Sequence, residues 1–150
     1  MGKKQIRIAI LEDNDDLREE LDFFLTNQGH FVWGVDSAEA FWKQLHLVPV
    51  DVVLVDIGLP GEDGFSVVSF LHQIRRHGVI VISARGSQQD HMRGLSLGAD
   101  LYMVKPINFA DLNHAIVSLG QRIQHEARST GTTVEEGSEW LLDDRQLVSP

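Results

Sequence analysis

In IAILEDNDD, residues 8–16, the chain passes from apolar side chains directly into Glu12, Asp13, Asp15 and Asp16. Asp15 and Asp16 suit a solvated turn ahead of a helix. Glu12 and Asp13 ask for more, because further polar groups stand at the ends of later apolar runs: Asp56 after VDVVLV, Ser83 closing VIVIS and Lys105 after LYMV. Singly, each has an ordinary structural explanation, since an Asp ending a strand is a turn former and a Lys before a Pro is solvated. Gathered on one edge they form a pocket. Clustered carboxylates raise one another's pKa unless a cation is near. Hard oxygen ligands without thiolate or neighbouring histidine favour magnesium or manganese over zinc, so Glu12 and Asp13 are expected to help hold a divalent cation beside Asp56. Three carboxylates, that cation and one ammonium sum to about zero formal charge, which leaves the cation and Lys105 able to take phosphoryl oxygens. Asp56, alone at the end of the central run, is the nucleophile candidate, because carboxylates form aspartyl-phosphates.

The elements that must gather these groups can be read from apolar spacing. Strand-like runs occur at 6–11, 31–35, 50–55, 79–83 and 101–104. Between them lie helix-like stretches: about 15–28 with Leu17, Leu21, Phe24 and Leu25 on one face, and a second opened by Ser37 with Ala38, Phe41 and Leu45. A third follows Gly64 with Val67, Val68, Leu71 and Ile74, a weaker fourth spans about 89–97, and the fifth carries Phe109, Leu112, Ile116, Leu119 and Ile123. Strands alternating with helices imply a parallel sheet covered on both faces. Right-handed crossovers then put every strand's C-terminal end on one edge, where open α/β folds bind ligands.

LEDN, VLVDIGLPGEDG, VISA and GADLYMVKP, in this order over roughly residues 6–123, resemble the receiver domain of two-component response regulators. The resemblance implies a flavodoxin-like (βα)5 fold, a doubly wound five-stranded parallel sheet of order 2-1-3-4-5. It also implies phosphoryl transfer from a sensor histidine kinase onto Asp56, with Mg2+ (Mn2+ as substitute) held by Asp13, Asp56 and the backbone carbonyl of Gly58, and by Glu12 through a water. Lys105 would contact the phosphoryl oxygens and Ser83 would donate its hydroxyl to them, while small Ala84 leaves access. Tyr102 would be the switch residue; its bland alternative is an exposed edge-strand tyrosine. Such a domain is no enzyme acting on outside substrates. It accepts and loses its own phosphoryl group, and it switches a surface made by the fourth helix, fifth strand and fifth helix.

Two rivals share the edge. A magnesium phosphatase with an aspartyl nucleophile would carry a second Asp two residues on, where this chain has Gly58. A flavodoxin-type mononucleotide binder would need a glycine- or hydroxyl-rich phosphate loop after the first strand, where LEDNDD repels phosphate in the absence of a metal. A receiver-like fold that is never phosphorylated is disfavoured by the presence of Asp13, Asp56, Ser83 and Lys105 together.

The 150 residues suffice for one domain of 1–125 with a sizeable core, followed by a polar linker over 126–138 and a short apolar resumption at 139–150. WLLDDRQLVSP in that last stretch resembles the opening of the winged-helix DNA-binding domain of the OmpR/PhoB-type subfamily, so DNA binding would belong to a longer parent chain. A formal charge of -9 disfavours nonspecific attraction to nucleic acid or anionic lipid, and the absence of cysteine removes disulfides and thiolate chemistry. Seven histidines are scattered without metal-ligand spacing. No membrane span or signal core is evident, and a cytoplasmic location is expected. A homodimer through the switching surface is weakened by Ala115, which stands where the subfamily carries an arginine to pair with the acid at Asp100, and by Ile107 in place of the usual Phe. Arg93 and Asp111 remain candidates to pair across a symmetric interface.

Overall fold

A computed structural model describes residues 5–58, 64–84 and 86–136, with side chains through residue 127. Its strands are β1 (Arg7–Leu11), β2 (Phe31–Val35), β3 (Val52–Asp56), β4 (Gly78–Ser83) and β5 (Leu101–Val104). They alternate with α1 (Asp15–Asn27), α2 (Ala38–Leu47), α3 (Gly64–Ile74), α4 (Gln88–Ser96) and α5 (Phe109–Glu136). All pairings are parallel in the order β2-β1-β3-β4-β5, as expected. The elements fall within about two residues of their sequence-derived limits, except at the end of α5.

The sheet is central because its strands are apolar on both faces. Successive residues alternate between two cores: Ala9, Leu11, Val53, Val55, Val79 and Val81 pack with Phe41, Phe65, Val68 and Leu71. Ile8, Ile10, Val52, Leu54, Ile80 and Ile82 face the other way, toward Leu21 and Leu25 of α1 and Leu112, Ile116 and Leu119 of α5. A strand's period of two thus distributes one continuous apolar run to two helical layers. Side chains close the N-termini of α1, α2, α4 and α5. Asn14 accepts from the Leu17 N–H at 2.9 Å, Ser37 from Ala40 at 3.2 Å, Ser87 from Asp90 at 3.1 Å and Asn108 from Asp111 at 2.9 Å.

The opposite, N-terminal edge of the sheet is tied to α5. Asp51 accepts from the Arg7 N–H at 3.0 Å and from Gln124 Nε2 at 3.1 Å. Asp100 accepts from the Val79 N–H at 2.8 Å and pairs with Arg122 at 3.1 Å. The acid before β5 therefore does find an arginine on α5, two turns beyond Ala115 and within its own chain. The helix then runs on through residues 126–136, where an aperiodic linker was expected. Propagation from an existing helix costs far less than nucleation, so weak formers such as Ser, Thr and Gly can follow an anchored nucleus, and Arg122 and Glu126 add an i,i+4 pair at 3.9 Å. Residues 139–150, with their winged-helix resemblance, lie outside the described residues, as do Pro60, Gly61 and Arg85.

Gly64 opens α3 against the backbone that follows Asp56. A Cβ there would meet Ile57 Cα at 2.4 Å and the Asp56 carbonyl oxygen at 2.8 Å. Backbone cannot swing aside as a side chain can. Gly64→Ala is expected to lower unfolding stability by about 2–3 kcal/mol in urea titration; an unchanged midpoint would contradict this packing.

Candidate functional site

Four chain segments deliver the site to the C-terminal edge of the sheet. Asp56 is the last residue of β3, paired with Ile82 of β4, and is 5% exposed. Glu12, fully buried, and Asp13, exposed, follow β1. One carboxylate oxygen from each of Glu12, Asp13 and Asp56 lies within 4.8 Å of the other two, and among the described residues no histidine joins this group. Lys105 follows β5 and bridges two of the acids: its Nζ stands 3.0 Å from Glu12 Oε1 and 3.4 Å from Asp56 Oδ2. Ser83, 1% exposed, ends β4, and its carbonyl accepts the Lys105 backbone N–H at 2.8 Å. The Lys105–Pro106 peptide is cis.

Local hydrogen bonds aim the carboxylates. The Gly58 N–H donates to Asp56 Oδ1 at 2.8 Å, and a Cβ at Gly58 would come within 3.4 Å of that oxygen. Glu12 Oε2 accepts the Asn14 N–H at 3.0 Å. The contact of Glu12 Oε1 with Lys105 is an ion pair without hydrogen-bond geometry. Burial, followed by the proximity of Asp56, raises the Glu12 pKa from the usual 4.5 to about 7 against the lowering influence of the Asn14 N–H and Lys105. For Lys105, burial pulls the ammonium down, but the close contact with Glu12 and the charges of Asp56 and Glu12 outweigh it and raise the pKa. One ammonium among three carboxylates leaves surplus negative charge at a partly dehydrated edge, and this donor set fits a small hard cation.

The sequence-derived residues Glu12, Asp13, Asp56, Gly58, Ser83 and Lys105 thus meet at one edge. Tyr102 lies in β5, 7% exposed, its ring stacked on His91 of α4 at 4.8 Å and 17°. The exposed edge-strand alternative does not hold, because α4 covers the ring and a Cβ on Gly94 would press on it at 2.9 Å. Arg93, a candidate for pairing across an interface, lies over the Phe65 ring at 4.1 Å. Sequence reasoning missed Arg18. Its Nη1 donates to the Glu12 carbonyl at 2.8 Å and its Nη2 pairs with Asp15 at 2.6 Å. The signal available was an arginine three residues after an acid on a helix. Missing too was the partner of His30, buried and 2.7 Å from Asn113 Oδ1 across 83 residues of chain.

A doubly wound parallel sheet with its polar groups collected at the C-terminal edge places the protein in the flavodoxin-like class of α/β folds. Within that class the chain belongs to the response regulator receiver domain family, whose family model matches residues 8–117. It is 34% identical to the transcriptional regulatory protein AruR of Pseudomonas aeruginosa over 95% of this chain and 62% of that protein. The receiver domain of the TMAO respiratory system response regulator TorR shares 30% identity at a TM-score of 0.75, with 79% of this chain and 98% of that one covered. DrrB, a Thermotoga maritima OmpR/PhoB homologue, superposes with a TM-score of 0.66 at 24% identity over 73% of this chain and 49% of its own. The chain spans less than two thirds of the length of the curated relatives it matches.

Without metal, folded Glu12 keeps its proton to about pH 7 and the unfolded carboxyl loses it near 4.5, so the folded state binds the extra proton between those values. Stability contributed by this group is present at the acid end of that window and declines as pH rises through it. In chelator, wild type is expected to lose stability relative to Glu12→Gln between about pH 5 and about pH 7.5 in urea unfolding. Parallel pH profiles for the two proteins would contradict the assignment.

Proposed function

We propose that this chain is the phosphoryl-accepting receiver of a transcription regulator of the OmpR/PhoB type, charged by a sensor histidine kinase in the cytoplasm. The observation that carries the proposal is the set of three carboxylates within 4.8 Å, with the Lys105 ammonium between Glu12 and Asp56. Asp13, Asp56 and the Gly58 carbonyl would hold Mg2+, or Mn2+ in its place, with Glu12 acting through a water. When bound, the cation supplies the positive charge that lets a phosphoryl group approach these acids.

Every other step falls to the chain's own residues. An Asp56 carboxylate oxygen attacks phosphorus in line, the P–N bond to the donor histidine breaks, and the imidazole nitrogen keeps the electron pair and takes up a proton. Lys105 Nζ, already 3.4 Å from Asp56 Oδ2, meets the phosphoryl oxygens, and the Ser83 hydroxyl donates to another. The absence of an acid at Gly58 agrees with a protein that does not turn over outside substrates.

The new group makes the site more negative by about one charge, since the acyl phosphate replaces the carboxylate's own charge. Ser83 and Lys105 follow it together, because the Lys105 N–H is bonded to the Ser83 carbonyl at 2.8 Å. Their displacement biases α4 and β5, with Tyr102 as the switch ring, and alters the α4/β5/α5 face presented to a kinase-controlled output domain or to a second copy of the chain. Complete switching from 1:99 to 99:1 requires about 5.5 kcal/mol, more than one ion pair and one hydrogen bond commonly provide, so a graded shift is the expected response. DNA contact belongs to the parent chain's output domain. Among the described residues no helix is long and apolar enough to cross a membrane.

Incubation with magnesium and phosphoramidate, read by intact mass, is expected to add one phosphoryl group to the wild type. The gain should vanish in Asp56→Asn and on chelation. Persistence of the full gain in Asp56→Asn would reject Asp56 as the acceptor, and multiple turnover of a phosphomonoester would favour a phosphatase.

A further inference from the structure

Each polar atom of Glu12 has a structural neighbour. Its N–H donates to the Val35 carbonyl at 3.1 Å, its Oε2 accepts the Asn14 N–H at 3.0 Å, and its Oε1 faces Lys105 Nζ at 3.0 Å. Its carbonyl accepts from Arg18 Nη1 at 2.8 Å. Because Glu12 is fully buried, water cannot readily replace a lost partner for that carbonyl, and a buried polar group left unpaired is costly.

Arg18 reaches this carbonyl from the second turn of α1 while its other terminal nitrogen holds Asp15 Oδ1 at 2.6 Å. The side chain is only 19% exposed. Its stem runs across Gly34 of β2, where a Cβ would stand 3.1 Å from Arg18 Cγ and 3.2 Å from Cδ. A simple helix-surface ion pair with Asp15 explains one of the two nitrogens. It does not explain why the second points at the backbone of a buried residue, nor why the arginine stem fills the space beside a strand glycine.

We propose that Arg18 is a positioning residue for the acidic turn: its planar guanidinium spans the Glu12 carbonyl and the Asp15 carboxylate, and so fixes the direction in which Glu12 and Asp13 face Asp56. The proposal rests on the reading of this edge as the magnesium and phosphoryl site. Arg18 acts by geometry more than by charge, because its ion pair with Asp15 largely cancels its field at the acids. Lysine cannot reproduce the two-pronged span, since an ammonium is a point donor.

The test compares wild type, Asp15→Asn, Arg18→Lys and the charge-conserving double variant Arg18→Ala/Asp15→Asn. Two readouts are taken at physiological salt: magnesium affinity by calorimetry, and amide hydrogen exchange of the metal-free protein. The double variant is expected to bind magnesium about tenfold more weakly, in line with the loss of other supports behind a metal ligand. Exchange should accelerate at the Asn14 amide, with the β3 and β4 amides unchanged. Asp15→Asn, which keeps an acceptor oxygen for the guanidinium, should retain wild-type Asn14 exchange, and Arg18→Lys should fall with the double variant. Affinity within about twofold of wild type together with unaltered Asn14 exchange would overturn the proposal, as would full rescue by lysine. If wild type itself takes up no magnesium, the functional reading fails, yet the exchange measurement on metal-free protein still decides the role of Arg18.

Discussion

Three carboxylates held at one partly dehydrated edge set the terms for the rest of the molecule. Glu12 is fully buried and Asp56 nearly so, and their mutual repulsion opposes the packing that brings β1 and β3 side by side. Lys105 offsets part of it by standing between them, at 3.0 Å from one acid and 3.4 Å from the other. That compensation is incomplete: burial first, and the proximity of Asp56 after it, still hold the Glu12 pKa up at about 7. A protein optimised only for stability would place apolar or neutral groups here. Stored electrostatic imbalance of this kind is what allows an incoming charged group to alter the fold's energetics.

The same edge is wired to a surface. The end of β4 is joined to the residue following β5 by the Lys105 N–H and the Ser83 carbonyl, so two groups of the site cannot move apart independently. One residue along β5 from Met103, the Tyr102 ring lies beneath α4, stacked on His91 and against Gly94. At the far edge, Asp51 and Asp100 anchor Gln124 and Arg122 of α5 to the sheet. The arrangement leaves α5 fastened at the edge opposite the acids, while α4 and β5 adjoin them.

Much of this was legible in the linear order of residues. The two helical layers and the convergence of Glu12, Asp13, Asp56, Ser83 and Lys105 follow from alternating apolar runs and right-handed crossovers, because those rules act on every βα unit alike, whereas the strand order was implied only by the family resemblance. The helix beyond residue 126 was not legible, since a segment rich in Ser, Thr and Gly has no apolar stripe and its conformation depends on the anchored turns before it. Arg122 was overlooked as the partner of Asp100 for a related reason. A pairing 22 residues apart depends on where the helix axis crosses the sheet edge, which spacing on one helix cannot give.

By itself, the sequence determined the class of fold and the chemical types gathered at the strand ends, since hydrophobic periodicity and residue identity are local properties. Tertiary structure decided which of those groups are dry, which touch, and what holds them. Glu12 rather than Asp13 is the buried acid, Tyr102 is covered rather than exposed, and Arg18 is threaded over Gly34 to reach a backbone carbonyl. Burial and distance arise only when separate segments pack, and these two quantities fix how strongly charges interact.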